Sequence, residues 1–236
     1  MSVEPAPGQQ SLRPVRSYHQ RKGKTTPTQA RGLAQGWDTY GVTLDAAVDL
    51  IAMAAADQKV VLDVGFGMGE SVLHLAALEP DTLIVGLEVH ERGIGQLLAA
   101  LLDAPASDGG SLANVRVLQH DAAEVVRALP AEPVLAEFRL FFPDPWPKSR
   151  HHKRRLVQPA VVHELALRMK QGGRVYCATD WRNYADHMAE VLAAEPLLAR
   201  RDDLVPSMRT TRPTTKYEAI GLAKGHQVTD LVFERL

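Results

Sequence analysis

From about Leu44 onward, short apolar runs alternate with longer segments in which apolar and polar positions interleave at helical spacing. Residues 45–56 read as a helix rich in Ala, Leu, Ile and Met. Val60-Val61-Leu62 then reads as a buried strand that stops at Asp63 and a glycine cluster. The alternation continues with a helix over 70–78, a strand over 83–87 ending at Glu88, a helix over 91–102, a strand over 115–118 and a helix over 122–129. A fourth strand, 134–142, stops at Pro143, and a long helix follows from near His152 to near Lys170, ahead of Gly172-Gly173. Strand 174–178 and helix 181–194 complete the series. Strands and helices alternating at these lengths predict an α/β fold with a mostly parallel sheet and helices on both faces. The C-terminus departs from the pattern: 216–221, a turn at 222–225 and 227–235 read as a hairpin, so the last strand is expected to run in reverse.

Residues 1–35 carry no sustained apolar period and are rich in Pro, Gln, Thr, Gly and Arg. They read as a flexible basic arm, which leaves 36–236 as a single domain. A small-residue loop, 104–113, is the other break.

The 236 residues, 45% hydrophobic and 23% charged, are those of an ordinary globular protein. No apolar run is long enough to cross a bilayer, the first twenty residues lack the apolar stretch of a secretory signal, and one cysteine cannot form an internal disulfide or a cysteine-based zinc site. A cytoplasmic protein is expected. The net charge of -1 hides segregation. No acidic residue lies between Glu4 and Asp38, where Arg13, Arg16, Arg21, Lys22, Lys24 and Arg31 fall; a second acid-free block runs from Lys148 to Arg155. Two concentrated basic segments on a neutral chain fit local binding of a polyanion.

In an open parallel sheet ligands bind beyond the carboxyl ends of the strands. The first strand ends in Asp63-Val64-Gly65-Phe66-Gly67-Met68-Gly69, and Gly65, Gly67 and Gly69 allow a sharp turn that brings main chain close to a ligand. Glu88 ends the second strand, where a carboxylate can accept both hydroxyls of an adenosyl ribose. Asp121 follows the third, as a helix cap, an adenine contact or both. Nicotinamide dinucleotides and S-adenosylmethionine both use such loops. The dinucleotide fingerprint requires a further glycine where Glu70 stands, and the reversed last strand resembles the end of the class I S-adenosylmethionine-dependent methyltransferase sheet. The fourth strand ends in Phe141-Phe142-Pro143-Asp144-Pro145-Trp146-Pro147-Lys148, a loop stiffened by three prolines that holds Asp144 and Trp146 at the same edge.

The run Phe142 to Lys148, continuing through Arg150-His151-His152-Lys153-Arg154-Arg155-Leu156-Val157, resembles the signature of the bacterial tRNA (guanine-N7-)-methyltransferase family. The resemblance extends to Arg16-Ser17-Tyr18, the glycine loop, Gly86 to His90, His120-Asp121-Ala122, Ala178 to Trp181, Thr215 to Glu218, Gly225-His226 and Asp230 to Glu234. It implies a Rossmann-like class I fold with a seven-stranded sheet, S-adenosylmethionine as donor, and methylation of N7 of the variable-loop guanine 46 of tRNA. It assigns donor contacts to Asp63, Glu88, Asp121 and Asp144. It assigns substrate contacts to Lys148, Asp180, Thr215, Lys216, Tyr217 and Glu218, and RNA contacts to Arg150, His151, His152, Lys153, Arg154 and Arg155. Asp63 stands where many relatives carry Glu, and the 104–113 loop is longer than usual.

Guanine N7 has a lone pair and no proton, so its methylation needs no general base, and Asp144 is expected to position the reactants and favour the positive charge that appears on the purine. Either Asp180 or Glu218 can accept both hydrogens of the guanine edge, and Trp146 either stacks on the base or packs in the protein. His151 and His152 have no partner cluster, so no metal is expected. Cys177 reads as an apolar filler. A monomer and a homodimer both fit. The competing readings are methylation of an exocyclic amine, an RNA-binding protein with a decayed donor pocket, and a dehydrogenase.

Overall fold

A computed structural model of the chain describes residues 17–18, 23–104, 112–214, 216–223, 225 and 227–236. Within them, β1 (Gly41–Val42), β2 (Val60–Val64), β3 (Leu83–Leu87), β4 (Val115–Leu118), β5 (Leu135–Phe141), β6 (Met169–Thr179), β7 (Leu198–Arg200) and β8 (Thr229–Arg235) form one sheet. Its order is β1-β4-β3-β2-β5-β6-β8-β7. β8 runs antiparallel to both β6 and β7, and the other pairs are parallel. The expected α/β class holds, with eight strands among the described residues instead of seven. The two-residue β1 at the sheet edge is too short to leave a period in the sequence.

The helices are α1 (Pro27–Tyr40), α2 (Leu44–Ala54), α3 (Glu70–Leu78), α4 (Glu91–Asp103), α5 (Ala122–Ala128), α6 (Pro159–Arg168), α7 (Arg182–Ala193), α8 (Val205–Thr210) and α9 (Lys216–Ala223). One face of the sheet, with Val60, Leu62, Val64, Leu83, Val85 and Leu87, packs on Ile51, Val125, Leu165 and Met188 from α2, α5, α6 and α7. The other face, with Val61, Ile84, Val115 and Val117, packs on Leu75, Ile94, Leu97 and Leu98 from α3 and α4. β2 and β3 are buried on both sides, which is why they read as unbroken apolar runs.

Four sequence expectations change. α1 begins at Pro27, inside the segment read as a flexible arm. Thr26 and Gln29 form a reciprocal capping box, and Pro27 occupies the first turn, where its missing N–H costs nothing. The helix is held by close backbone contact with α4: a Cβ on Gly32 would lie 2.0 Å from the Gly95 carbonyl oxygen. The helix expected from His152 is instead a 3-10 turn, Ser149–Arg154, followed by a break and then α6. Pro159 sets that break, because the residue before a proline is driven out of the helical region, and Gln158 is extended.

Residues 216–221 lie in helix α9, so the reversed strand β8 finds its hairpin-like neighbour in β7, with a 3-10 turn (Asp202–Leu204) and two α-helices intervening. Finally, β6 starts at Met169 and not Arg174. Its register on β5 jumps across a bulge at Gly172, where φ is +74°. Cys177 is buried in β6 as expected, and burial pushes its thiol up to about 12.

Candidate active site

A cleft of about 630 Å3 opens at the carboxyl ends of β2, β3, β5 and β6. Its lining includes Asp63, Gly65, Gly67, Glu88, Asp144 and Asp180, together with Ser17 and Tyr18 from ahead of α1. The turn after β2 takes φ of +69° at Gly65 and +61° at Gly67, and a Cβ at either position would meet nothing within 4 Å. These two glycines therefore leave open space on the cleft side. Gly69 has a different role and is not among the lining residues. It caps α3 at φ +90°, and a Cβ there would lie 2.7 Å from Leu97.

Glu88 is held in place by main chain. Its Oε1 accepts from the N–H groups of Val89 (2.6 Å) and His90 (3.0 Å), and its Oε2 from Gly67 (3.1 Å). The glycine loop and the second strand end are thus locked to each other through one carboxylate. Asp63 is buried on the face that meets α3, where Ser71 Oγ donates to it at 3.3 Å. Burial pushes its carboxyl up to about 6, against the opposing pull of Arg139 and the Ser71 bond. Asp121 is the N-cap of α5, accepting from Ala123 N at 2.9 Å, and it also accepts from Ser17 Oγ at 3.0 Å. It lines an adjoining hollow and not the cleft itself.

The proline loop after β5 is bracketed by two non-glycine residues in the left-handed region, Phe142 at φ +50° and Trp146 at φ +45°. Such backbone persists only where surroundings fix it. Three contacts do so. Phe142 N donates to Ala178 O at 2.7 Å, Arg155 Nε donates to Pro145 O at 3.1 Å, and Trp146 Nε1 donates to Ser17 O at 3.1 Å. Asp144 is thereby presented from a rigid frame at the cleft.

One open alternative is decided here and one expectation fails. Trp146 is 1% exposed, with the Arg154 guanidinium 4.9 Å from its ring centre and His151 edge-on, so it packs and does not offer a face to a base. Arg155, expected on RNA, is 2% exposed. Besides Pro145 O it donates to Asn183 Oδ1 at 2.6 Å and covers the Tyr184 ring at 4.7 Å; burial pulls its pKa down. It ties the proline loop to α7. Lys148, Arg150, Lys153 and Arg154 are exposed, and His151 and His152 are half-buried.

The two carboxylates expected to read guanine separate. Asp180 lines the cleft at the end of β6, where Trp181 N donates to Thr179 Oγ1 at 3.2 Å and turns the chain into α7. Glu218 does not line the cleft: it is 1% exposed and takes Arg212 Nη1 at 2.5 Å, Arg212 Nη2 at 3.1 Å and Arg209 Nη2 at 3.1 Å. Lys216 and Tyr217 lie in the first turn of α9. Thr215 lies outside the described residues.

Sequence reasoning missed Ser17 and Tyr18 as cleft residues, although the Arg16-Ser17-Tyr18 string belongs to the resemblance. Tyr18 stands edge-on to His90 with ring centres 6.2 Å apart. Among the described residues no group of three or more His, Cys, Asp or Glu is placed to hold a metal ion, and no helix is long and apolar enough to cross a membrane.

This sheet order, a reversed penultimate strand and a carboxylate-ringed cleft at the strand ends define a class I methyltransferase. A family model described as a putative methyltransferase matches residues 57–231. Among solved structures, the aminoglycoside resistance methyltransferase NpmB1 aligns with TM-score 0.53 at 18% identity, over 80% of this chain and 93% of that one. A structure described as an antibiotic related methyltransferase gives TM-score 0.54 at 16% identity, over 86% and 98%. At that identity the likeness concerns the fold. The chain is also 44% identical over 224 residues to a tRNA (guanine-N(7)-)-methyltransferase of Acidovorax sp. (strain JS42), spanning 94% of this chain and 86% of the relative. It is 43% identical over 228 residues to the Stutzerimonas stutzeri (strain A1501) protein of the same description, spanning 95% and 93%. The chain belongs to the tRNA (guanine-N(7)-)-methyltransferase family.

Proposed function

We propose that this protein transfers a methyl group from S-adenosylmethionine to N7 of guanine 46 in the variable loop of tRNA, and that it does so in the cytoplasm. The observation that carries the reading is the convergence of Asp63, Glu88, Asp144 and Asp180 on one cleft of about 630 Å3 beside the open glycine turn. Its size lies in the range of small-molecule sites, roughly 300–1,000 Å3. Its acidic lining suits a ligand that is cationic at its sulfonium and ammonium and carries a ribose diol.

When bound, S-adenosylmethionine supplies an electrophilic methyl group. Glu88, fixed by three backbone donors, would accept from the ribose diol with its remaining acceptor capacity. As the family resemblance assigns them, Asp63 would hold the amino-acid end, and Asp121, which accepts from Ser17 Oγ, would serve the adenine. N7 of guanine attacks with its own lone pair, so none of these groups has to remove a proton. Asp144 favours the charge that moves onto the purine, and because its loop is already rigid the stabilisation needs no reorganisation. Asp180 accepts from N1–H and the 2-amino group, which adenine does not present in that arrangement. Lys148, Arg150, Lys153 and Arg154, with the cations ahead of α1, hold phosphates and carry little sequence information.

The division between the two carboxylates supplies the test. Asp180→Asn is expected to lower tRNA turnover by about 100-fold or more while donor affinity by calorimetry stays within about twofold, as for loss of a charged hydrogen-bond acceptor to the base edge. Glu218→Gln is expected to lower the melting temperature instead, because it breaks a buried arginine pair. Turnover lost in Glu218→Gln at unchanged melting temperature, with Asp180→Asn active, would reverse the assignment.

A further inference from the structure

One buried cation has no part in the chemistry above. Arg139 is fully buried in the middle of β5, and its register partners are Asp63 on β2 and Tyr176 on β6. Register partners in parallel strands project from the same face, so the guanidinium shares the face on which Asp63 meets α3. Its Nε donates to Glu137 Oε1, two positions back on the same side of the strand, and Glu137 Oε2 in turn forms an ion pair with Lys59 Nζ at 3.3 Å. The other two nitrogens leave the sheet. Nη1 donates to the Thr211 carbonyl at 3.2 Å, and Nη2 to Thr211 Oγ1 at 2.9 Å.

Thr211 ends α8 and is followed by Arg212, whose guanidinium holds Glu218 and the Tyr176 hydroxyl and lies 5.4 Å from the ring centres of both Phe141 and Phe142. Arg139 therefore holds Thr211, and the next residue, Arg212, holds Glu218, Tyr176 and Asp230. Arg139 reaches Thr211 from the sheet, and Arg212 carries the grip on to α9 and to the start of the proline loop. A buried ion pair is a poor stabiliser compared with apolar packing of similar volume. Glu137 alone would neutralise the charge. The fork of Arg139 spends its remaining donors on a residue 72 positions away in sequence.

We propose that Arg139 is a positioning residue for the methyl transfer. One guanidinium, anchored beside the donor-side carboxylate Asp63, sets where Thr211 and Arg212 stand, and Arg212 bears on Phe142 at the start of the loop that carries Asp144, so the donor half and the substrate half of the site share one reference point. The inference rests on the reading that Asp63 belongs to the donor half and the Asp144 loop to the substrate half. It names a role for this chain's own residues that the motifs do not contain.

The test uses the full-length enzyme and four variants, with donor binding followed by calorimetry between pH 5 and 8 and steady-state kinetics on tRNA. Removing Arg139 alone strands Glu137 in the core, so the deletion is made as Glu137→Gln with Arg139→Met. The charged and polar groups facing Asp63 are Arg139 and Glu137 from β5 and the Ser71 hydroxyl from α3, with Lys59 acting on Glu137. Thr211→Val keeps the shape and removes one acceptor. It is expected to raise the tRNA KM about tenfold and leave donor binding unchanged. The double variant is expected to raise the KM at least as far and to move the pH midpoint of donor binding upward, since Asp63 loses the Arg139 charge, which lowers its carboxyl more than the Glu137 charge raises it. Arg139→Lys restores the charge without the fork, so its pH midpoint returns towards wild type while the KM stays raised. A purely structural role does not produce that split.

A folded double variant and a Thr211→Val variant that both keep the wild-type KM overturn the proposal. So does a KM that rises only together with loss of donor binding at every pH. If Asp63→Asn binds donor like wild type, the donor-side reading fails by itself, and Thr211→Val still decides whether the 211–212 segment is positioned.

Discussion

At the scale of single residues, the site is a set of carboxylates whose surroundings give each a different task. Glu88 is fixed by backbone donors, Asp144 by a strained and braced loop, and Asp63 by burial. The raised carboxyl of Asp63 has a consequence with a definite sign. Its folded value of about 6 exceeds the ordinary 3.8, so between those values the folded protein holds a proton that the unfolded chain has released. Its contribution to stability is therefore most favourable at low pH, falls as pH rises through this interval, and stays at the lower level above about 6. Above that interval Asp63 is a carboxylate, the form a cationic donor requires. Donor affinity is expected to rise with pH up to about 6 and then level off, and Asp63→Asn should weaken binding about tenfold or more while raising stability at pH 8 by roughly 1 kcal/mol. Calorimetry across pH and thermal melts check both, and a donor affinity flat from pH 5 to 8 counts against the assignment. These residues were legible in the sequence because each stands where an apolar run stops. Ser17 and Tyr18 were not, because nothing in a polar segment says which strand ends it crosses.

At the scale of elements, the basic segment 148–155 separates into two kinds of arginine. Composition alone treats Arg154 and Arg155 as equals. The 3-10 turn places Arg154 outside, across the Trp146 ring, and Arg155 inside, against Pro145, Asn183 and Tyr184. The sequence held a clue, since Arg155 is followed by the apolar pair Leu156-Val157, both buried. Arg154→Ala should flatten the dependence of log affinity for tRNA on log salt by roughly one unit and leave melting unchanged. Arg155→Met should leave that slope alone and cost roughly 1–3 kcal/mol of stability through the lost buried contacts. Equal effects of the two on the salt slope would return Arg155 to the RNA surface. The same mixture of legible and hidden signals explains α1. Thr26, Pro27 and Gln29 spell a helix start, yet the helix docks on α4 through glycines, and a glycine contact leaves no apolar stripe to read. At the C-terminus, the six residues of mixed polarity over 216–221 fit either period, and the buried arginine network around Glu218 decides for helix.

At the scale of the molecule, the alternation of buried strands and helices gave the parallel sheet, and the reversal of β8 closes it next to the strand that ends in Asp180. That topology puts the glycine turn, Glu88, Asp144 and Asp180 on one edge, with the exposed cations of 148–154 running from the same loop. The edge was readable from where apolar runs end. The coupling across the sheet was not, because Arg139 and Glu137 interrupt an otherwise apolar strand and their partners lie on distant segments. What this arrangement does chemically is decided most directly by nucleoside mass spectrometry of unmodified tRNA after incubation with the purified protein and isotope-labelled S-adenosylmethionine. The expected product is labelled 7-methylguanosine at position 46, absent when Asp144 is replaced by Ala. A label on an exocyclic amine, or no label with intact tRNA and saturating donor, would contradict it.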